Sequence, residues 1–166
     1  RSYYGVDAVP TTVINGVKGK VLNQANINEQ YETPSPFNLD IEHEFNADID
    51  SVFVRCIVTA AKDLEEENLL LHVAMLEKEI HFSAAPGANG EKSFYHVMRK
   101  MYPDANGTLL KGSWKKGDSD TIYFSEGIPE YIYNLTQIHF IAFIQSKTSK
   151  AVHQAAKNNT MQLQDY

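Results

Sequence analysis

The sequence is poor in cysteine and in clustered positive charge. Its 166 residues include one cysteine, Cys56, so an intrachain disulfide and a cysteine-based zinc site are excluded. Lysine and arginine number 15 against 21 aspartates and glutamates, which gives a net charge of -6, and no more than two basic residues stand in a row. Because binding to nucleic acids and to anionic membranes rests on clustered basic side chains, neither is expected as a partner.

Long apolar runs are also lacking. The stretch FIAFIQ is far shorter than the roughly 20 apolar residues that a helix needs to cross a bilayer, so no transmembrane segment is expected. The first residues do not form a basic segment followed by an apolar one, so no signal peptide is expected within the chain. Cys56 lies inside the apolar run VFVRCIVTA and is interpreted as a buried, unreactive side chain rather than as a reactive thiol.

Spacings typical of catalytic and metal-binding motifs do not occur. The six histidines form no HxH, HxxxH or HExxH pattern, and the chain contains neither a GxSxG elbow nor a glycine-rich phosphate loop. We therefore predict no catalytic residue, no metal site and no cofactor. His72 and His139 fall on predicted strands, and base rates of burial favour a solvent-exposed position for both.

A rhythm of short apolar segments dominates the chain from Phe37 onward. FNLDIEHEFN alternates apolar and polar residues, and SVFVRCIVTA places Val52, Val54, Cys56 and Val58 on one face. NLLLHVAMLEKEI is a third strand, with a helix as the rival reading because leucine, alanine, methionine and glutamate favour helices. Further strand candidates are GTLLKGSW, DTIYFSEG, NLTQIHFIAFIQSKT and AVHQAAKNN, the last with a frayed helix as its alternative. About seven strands without intervening helices predict a mainly β fold, an antiparallel immunoglobulin-like β-sandwich.

Residues 83–107 interrupt this rhythm. Glycines and a proline are followed by EKSFYHVMRKMY, in which Phe94, Val97, Met98 and Met101 fall at helical spacing before Pro103. The pattern predicts an irregular loop with one or two turns of helix across one end of a sheet.

The first 22 residues predict a β-hairpin. Strands Thr11 to Ile14 and Val17 to Leu22 flank Asn15-Gly16, the preferred pair for a two-residue type I′ turn. The polar stretch NQANINEQYETPSP predicts a linker with a short helical turn and a domain boundary near Pro34 to Pro36. The chain is thus divided into residues 1–34, 35–158 and a tail at 159–166. An isolated hairpin is marginally stable, so this one is expected to dock on the sandwich, to exchange with a second copy in a homodimer, or to pair in a crystal contact.

The segment AVPTTVINGVKGKV resembles the end of a thioredoxin fold, in which a cis-proline precedes a strand, a tight turn and an antiparallel partner. On this resemblance Val9-Pro10 is the cis peptide bond, and residues 1–34 are the remnant of a thioredoxin-like domain with its linker. The helix that carries Cys-x-x-C would lie upstream.

Three further blocks are similar to the second domain of the 28-kDa outer-membrane protein family of Gram-negative anaerobes. They are LLLHVAMLEKEI, FYHVMRKMYPDANGTLL and NLTQIHFIAFIQSKTSKAVHQAA, and their order and spacing cover nearly all of residues 37–157. The resemblance implies a thioredoxin-like domain followed by an immunoglobulin-like sandwich. It also implies a location in the bacterial cell envelope, often with a lipid anchor upstream, and it carries over no catalytic residue.

The expected function is therefore a non-enzymatic binding or interaction module that recognises an envelope protein or a glycan. Contacts are expected in the loop at residues 83–107, since binding residues concentrate on loops held by a rigid scaffold, and the candidates are Phe94, Tyr95, His96, Arg99 and Tyr102. One alternative is a thioredoxin-like thiol-disulfide oxidoreductase whose Cys-x-x-C half lies upstream. Another is a structural spacer.

Overall fold

The computed structural model describes residues 2–5, 11–18 and 22–158. Within them the chain forms twelve strands and one α-helix, with single 3-10 turns at Ser2–Tyr4 and Leu135–Gln137. The elements are β1 (Val13–Ile14), β2 (Val17–Lys18), α1 (Gln24–Glu32), β3 (Phe37–Phe45), β4 (Ser51–Ala60), β5 (Leu64–Glu65), β6 (Leu69–His81), β7 (Ser93–Tyr102), β8 (Thr108–Leu109), β9 (Ser113–Trp114), β10 (Ser119–Gly127), β11 (Ile138–Ser146) and β12 (Val152–Lys157). No helix among these residues is long and apolar enough to span a membrane.

Two antiparallel sheets pack face to face. The first has the order β10-β4-β3, and the second has the order β12-β11-β6-β7, with β8 also pairing with β6. The predicted mainly β, antiparallel sandwich is confirmed. The immunoglobulin-like topology stays a prediction. By order along the chain, the first, second and fifth long strands form one sheet, and the third, fourth, sixth and seventh form the other.

The core lies between the two sheets. On β4 the side chains of Val52, Val54, Cys56 and Val58 are buried and alternate with outward ones, as the pattern predicted. NLLLHVAMLEKEI forms strand β6, as predicted, and its first nine residues are all buried. Trp114 is fully buried with its ring edge-on to Phe37 at 5.3 Å between centroids. Strands with alternating burial thus form one layer, while β6 and β11 are buried on both faces.

The helical turns predicted within residues 83–107 are wrong. EKSFYHVMRKMY contributes strand β7, which pairs with β6 along its length and contains an irregularity opposite Met75 and Leu76. Across that bulge Met98 pairs with Leu76 and Met101 with Ala74, so two methionines three residues apart face the same side of the sheet. The extra residue at the bulge thus produces a three-residue spacing of apolar side chains, which is also typical of a helix.

The solvent-exposed positions predicted for His72 and His139 are also wrong. Both side chains are buried, with 5% and 2% of their surface exposed. His72 stacks on Phe143 at 4.8 Å, and His139 Nε2 lies 3.3 Å from His96 Nδ1. The outer face of β6 and β11 is itself largely apolar, so alternation along the strand did not place these rings in water. Burial lowers the pKa of both imidazoles.

The N-terminal hairpin docks on the sandwich, which is one of the three predicted alternatives. Strands β1 and β2 pair around Asn15 and Gly16, whose φ angles of 47° and 79° fit the predicted type I′ turn. The Val152 backbone N–H donates to Asn15 O over 2.9 Å, which joins the turn to β12. Gly16 lies so close to the sheet that a Cβ there would stand 1.6 Å from Lys150 O.

The connection after the hairpin is a helix of nine residues rather than a short turn. Its N-cap is Asn23, whose side-chain oxygen accepts from Asn26 N at 2.8 Å. The Val9-Pro10 bond, predicted to be cis, lies outside the described residues. Among the described residues the cis peptide bond is Tyr102-Pro103.

Candidate functional site

The predicted contact residues lie on strand β7, so their assignment to a loop is wrong. Tyr95 is 65% exposed and His96 is exposed, while Phe94 and Arg99 are half-buried. Tyr102 is fully buried in the core, beside Met75. Tyr102 is therefore a packing residue, and the other four belong to the accessible part of the strand. Their role in contacts stays a prediction.

A buried ion pair anchors the surface next to these residues. Glu77 on β6 is fully buried, and its Oε2 lies 3.1 Å from Arg99 Nε on β7. The other oxygen, Oε1, accepts the backbone N–H groups of Tyr133 and Asn134 at 2.9 and 2.8 Å. Because a buried carboxylate is tolerated only when it is well paired, this arrangement fixes the segment 128–137 to the sheet.

Two tyrosine rings enclose the Arg99 guanidinium. Its carbon lies 5.0 Å from the ring centre of Tyr131 and 5.4 Å from that of Tyr133, within the range of cation–π attraction. Tyr131 Oη donates to Arg99 O at 3.0 Å, and Arg99 donates to Tyr131 O in return. The two rings remain 55% and 64% exposed, so the same side chains that cover the arginine also face solvent.

Further aromatic rings extend this surface. Phe82 lies edge-on to Phe94 at 5.9 Å and to Tyr133 at 5.5 Å. We call the surface formed by Phe82, Phe94, Arg99, Tyr131 and Tyr133 the tyrosine patch. Tyrosine and arginine are the residue types that most often dominate binding surfaces, because they offer large contact areas together with hydrogen-bonding groups. The patch is suited to contact with a partner.

Sequence reasoning found Phe94 and Arg99 but missed Phe82, Tyr131, Tyr133 and the anchoring Glu77. Two signals were available. The segment PEYIY places two tyrosines two apart directly after a proline, in a stretch without strand periodicity. Glu77 also continues the inward row that begins at Leu69, where a charge requires a buried partner.

Reactive groups elsewhere in the described residues are buried or dispersed. Burial raises the pKa of the Cys56 thiol to about 12, which makes the thiolate inaccessible at neutral pH. The described ranges contain no group of three or more histidine, cysteine, aspartate or glutamate side chains that could hold a metal ion. The side chains of the tyrosine patch offer aromatic and hydrogen-bonding contacts.

Comparisons with known proteins show the family and the fold of the chain. The family model described as outer membrane protein Omp28 matches residues 1–162. Among solved structures, HBP35 of Porphyromonas gingivalis superposes with a TM-score of 0.68 at 13% identity, covering 95% of this chain and 54% of that one. A domain of the outer membrane lipoprotein Omp28 from Porphyromonas gingivalis gives a TM-score of 0.47 at 11% identity, covering 74% and 86% of the two chains. No curated protein matches the sequence. The chain spans about half the length of HBP35, and at this identity the likeness shows the fold.

Proposed function

We propose that this chain, which belongs to the Omp28 outer-membrane protein family, is a non-enzymatic interaction module that binds its partner through the tyrosine patch. The family places it in the bacterial cell envelope. The proposed partner is an envelope protein or an envelope glycan, since either can be recognised by exposed aromatic rings with neighbouring hydrogen-bond donors.

The observation that carries the proposal is that the exposed rings are held by contacts with the sheet. Tyr131 and Tyr133 lie on a segment without regular strand structure, and such segments ordinarily lose conformational entropy when they bind. Here the segment is held in advance by Glu77, which accepts two of its backbone N–H groups, and by Arg99, which contacts both rings. A surface prepared in this way binds with a smaller entropic cost.

The chemistry of the chain favours binding over thiol-disulfide exchange. The sequence contains one cysteine, whereas exchange by a dithiol requires two. That cysteine is buried, and burial raises the pKa of its thiol. An oxidoreductase function would therefore depend on residues outside this chain.

The proposal is tested by affinity capture with a Tyr133→Ser variant. This substitution removes the ring but leaves the backbone N–H that Glu77 binds, so the segment should stay in place. The immobilised chain is exposed to envelope extract and, separately, to an array of envelope glycans. We expect saturable capture by the unaltered chain and its loss in the variant.

Tyr31→Ser is the matched control, because Tyr31 is a tyrosine on α1 that is 90% exposed and lies far from the patch in sequence. The control should capture the same partner as the unaltered chain. Equal capture by all three proteins, or equal loss in both variants, would exclude the tyrosine patch as the binding surface.

A further inference from the structure

The outer face of the three-stranded sheet carries a shallow depression of about 410 Å³. Its outward side chains form two rows across the strands. In one row Glu42 pairs with Arg55 and Arg55 with Tyr123; in the other Glu44 pairs with Phe53 and Phe53 with Ser125. Side chains directly opposite on neighbouring strands contact one another, so each row forms a continuous line of neighbouring side chains.

The two rows differ in that the first contains a cation, Arg55, and the second contains none. In the first row Arg55 Nε donates to Glu42 Oε2 at 3.2 Å, so a cation stands between a carboxylate and a tyrosine. In the second row Glu44 stands beside Phe53, which is 43% exposed, and Tyr123 is a diagonal neighbour of that ring with 71% of its surface exposed. Within the described ranges Glu44 forms no ion pair with a lysine, an arginine or a histidine.

A carboxylate, a cation and an aromatic ring also occur together elsewhere in the chain. In those places the cation is a lysine or an arginine of the chain itself. In each case a basic side chain lies 4.3–5.2 Å from an aromatic ring centre and forms an ion pair with a carboxylate. These groups are Glu77 with Arg99 and Tyr131, Glu126 with Lys100 and Tyr102, and Asp118 with Lys111 and Trp114.

We propose that the depression at Glu44, Phe53 and Tyr123 binds a basic side chain, lysine or arginine, of a protein partner. The carboxylate of Glu44 would neutralise its charge, and the exposed rings would contact the cation and its aliphatic stem. Charge complementarity selects this occupant, since the outward side chains of β3 include Asp40, Glu42 and Glu44, and Arg55 is the cation that faces them from β4. The site lies on the sheet opposite to β6 and β7, so it is independent of the tyrosine patch.

Titration of the full chain with N-acetyl-L-argininamide, followed by amide chemical shifts in NMR, tests the site. N-acetyl-L-citrullinamide is the matched probe, because citrulline has nearly the same shape as arginine without its charge. We expect the arginine probe to shift the amides of Glu44, Phe53 and Tyr123, and the citrulline probe to shift them less at equal concentration. The difference should shrink as salt is added, since the charges are exposed.

The variant Glu44→Gln should weaken binding of the arginine probe by about threefold, as for a solvent-exposed ion pair, and should remove the preference over citrulline. Glu79→Gln, an exposed glutamate on β6, is the control and should leave the dissociation constant unchanged. N-acetyl-L-lysinamide is titrated as the second basic probe. The proposal is overturned if neither basic probe shifts these amides, if the citrulline probe shifts them as much as the basic probes do, or if the two variants behave alike.

Discussion

At the scale of single residues, Glu77 has the most demanding environment in the described part of the chain. It is a charged side chain with no exposed surface, balanced by Arg99 and by two backbone N–H groups. Replacing it by glutamine keeps an oxygen for the two N–H groups, removes the charge and places an amide NH2 group opposite Arg99. We predict that Glu77→Gln lowers the free energy of unfolding by about 3 kcal/mol, because the half-buried Arg99 is left without its counter-charge.

Urea denaturation of the two proteins measures this loss. Glu79→Gln is the control, since Glu79 lies two residues further along the same strand and is exposed. That control should change the unfolding free energy by less than about 0.5 kcal/mol. A Glu77→Gln variant as stable as the control would show that the ion pair does not hold the segment 128–137.

His43 makes stability dependent on pH. Its pKa is lowered from 6.5 to about 4, first by burial and then by the charge of His139. In the unfolded chain the imidazole binds a proton below pH 6.5, whereas in the folded chain it does so only below about pH 4. Its contribution is therefore complete above pH 6.5 and is lost as the pH falls towards 4. His72 and His139 act in the same direction, because burial lowers the pKa of each.

Urea midpoints measured between pH 7 and pH 4.5 should therefore decrease as the pH falls. Asp63 and Asp118 do not account for such a decrease, because their pKa values are lowered from 3.8 and their effect begins below this window. The variant His43→Gln should show a shallower slope. A midpoint that stays constant over the window would contradict the burial of these neutral imidazoles.

At the scale of elements, the hairpin turn is one of the contacts that join the N-terminal segment to the sandwich. Gly16 has a φ of 79°, and a Cβ on it would stand 1.6 Å from Lys150 O. We predict that Gly16→Ala detaches the turn and increases the exchange rate of the Val152 amide, which donates to Asn15 O. Hydrogen–deuterium exchange of that amide is the measurement.

Gly90→Ala separates this contact from backbone strain. Gly90 has nearly the same φ, 78°, but no atom lies within 4 Å of its Cβ position. Both variants carry the strain of a non-glycine residue at positive φ, so only Gly16→Ala should change exchange at Val152. Equal protection of that amide in the two variants would mean that the turn is not docked.

Strand β7 shows where sequence reasoning stops at this scale. The alternation of apolar and polar residues identified β3 and β4, because one face of each strand is exposed to solvent. The Asn-Gly pair identified the hairpin turn. On β7 a bulge adds one residue, so that Met98 and Met101 share a face and imitate a helix. The bulge depends on pairing with β6, which a local pattern does not contain.

At the scale of the whole molecule, the sequence predicted the architecture better than the proposed binding surface. Two packed sheets follow from strands with one apolar face, and this part of the prediction is confirmed. The tyrosine patch combines Phe82, strand β7 and the segment after β10, which lie far apart along the chain. Such a surface appears only once the strands are paired, because Arg99 meets Tyr131 and Glu77 through the sheet.

Photo-crosslinking measures whether the tyrosine patch contacts a partner in the bacterial cell envelope. A benzophenone amino acid replaces Tyr133 in one protein and Tyr31 in another, and each is irradiated in the envelope of the source bacterium. We expect one saturable crosslinked species, protein or glycan, from position 133 and none from position 31. The absence of any crosslink from position 133, or the same products from both positions, would contradict the proposed contact.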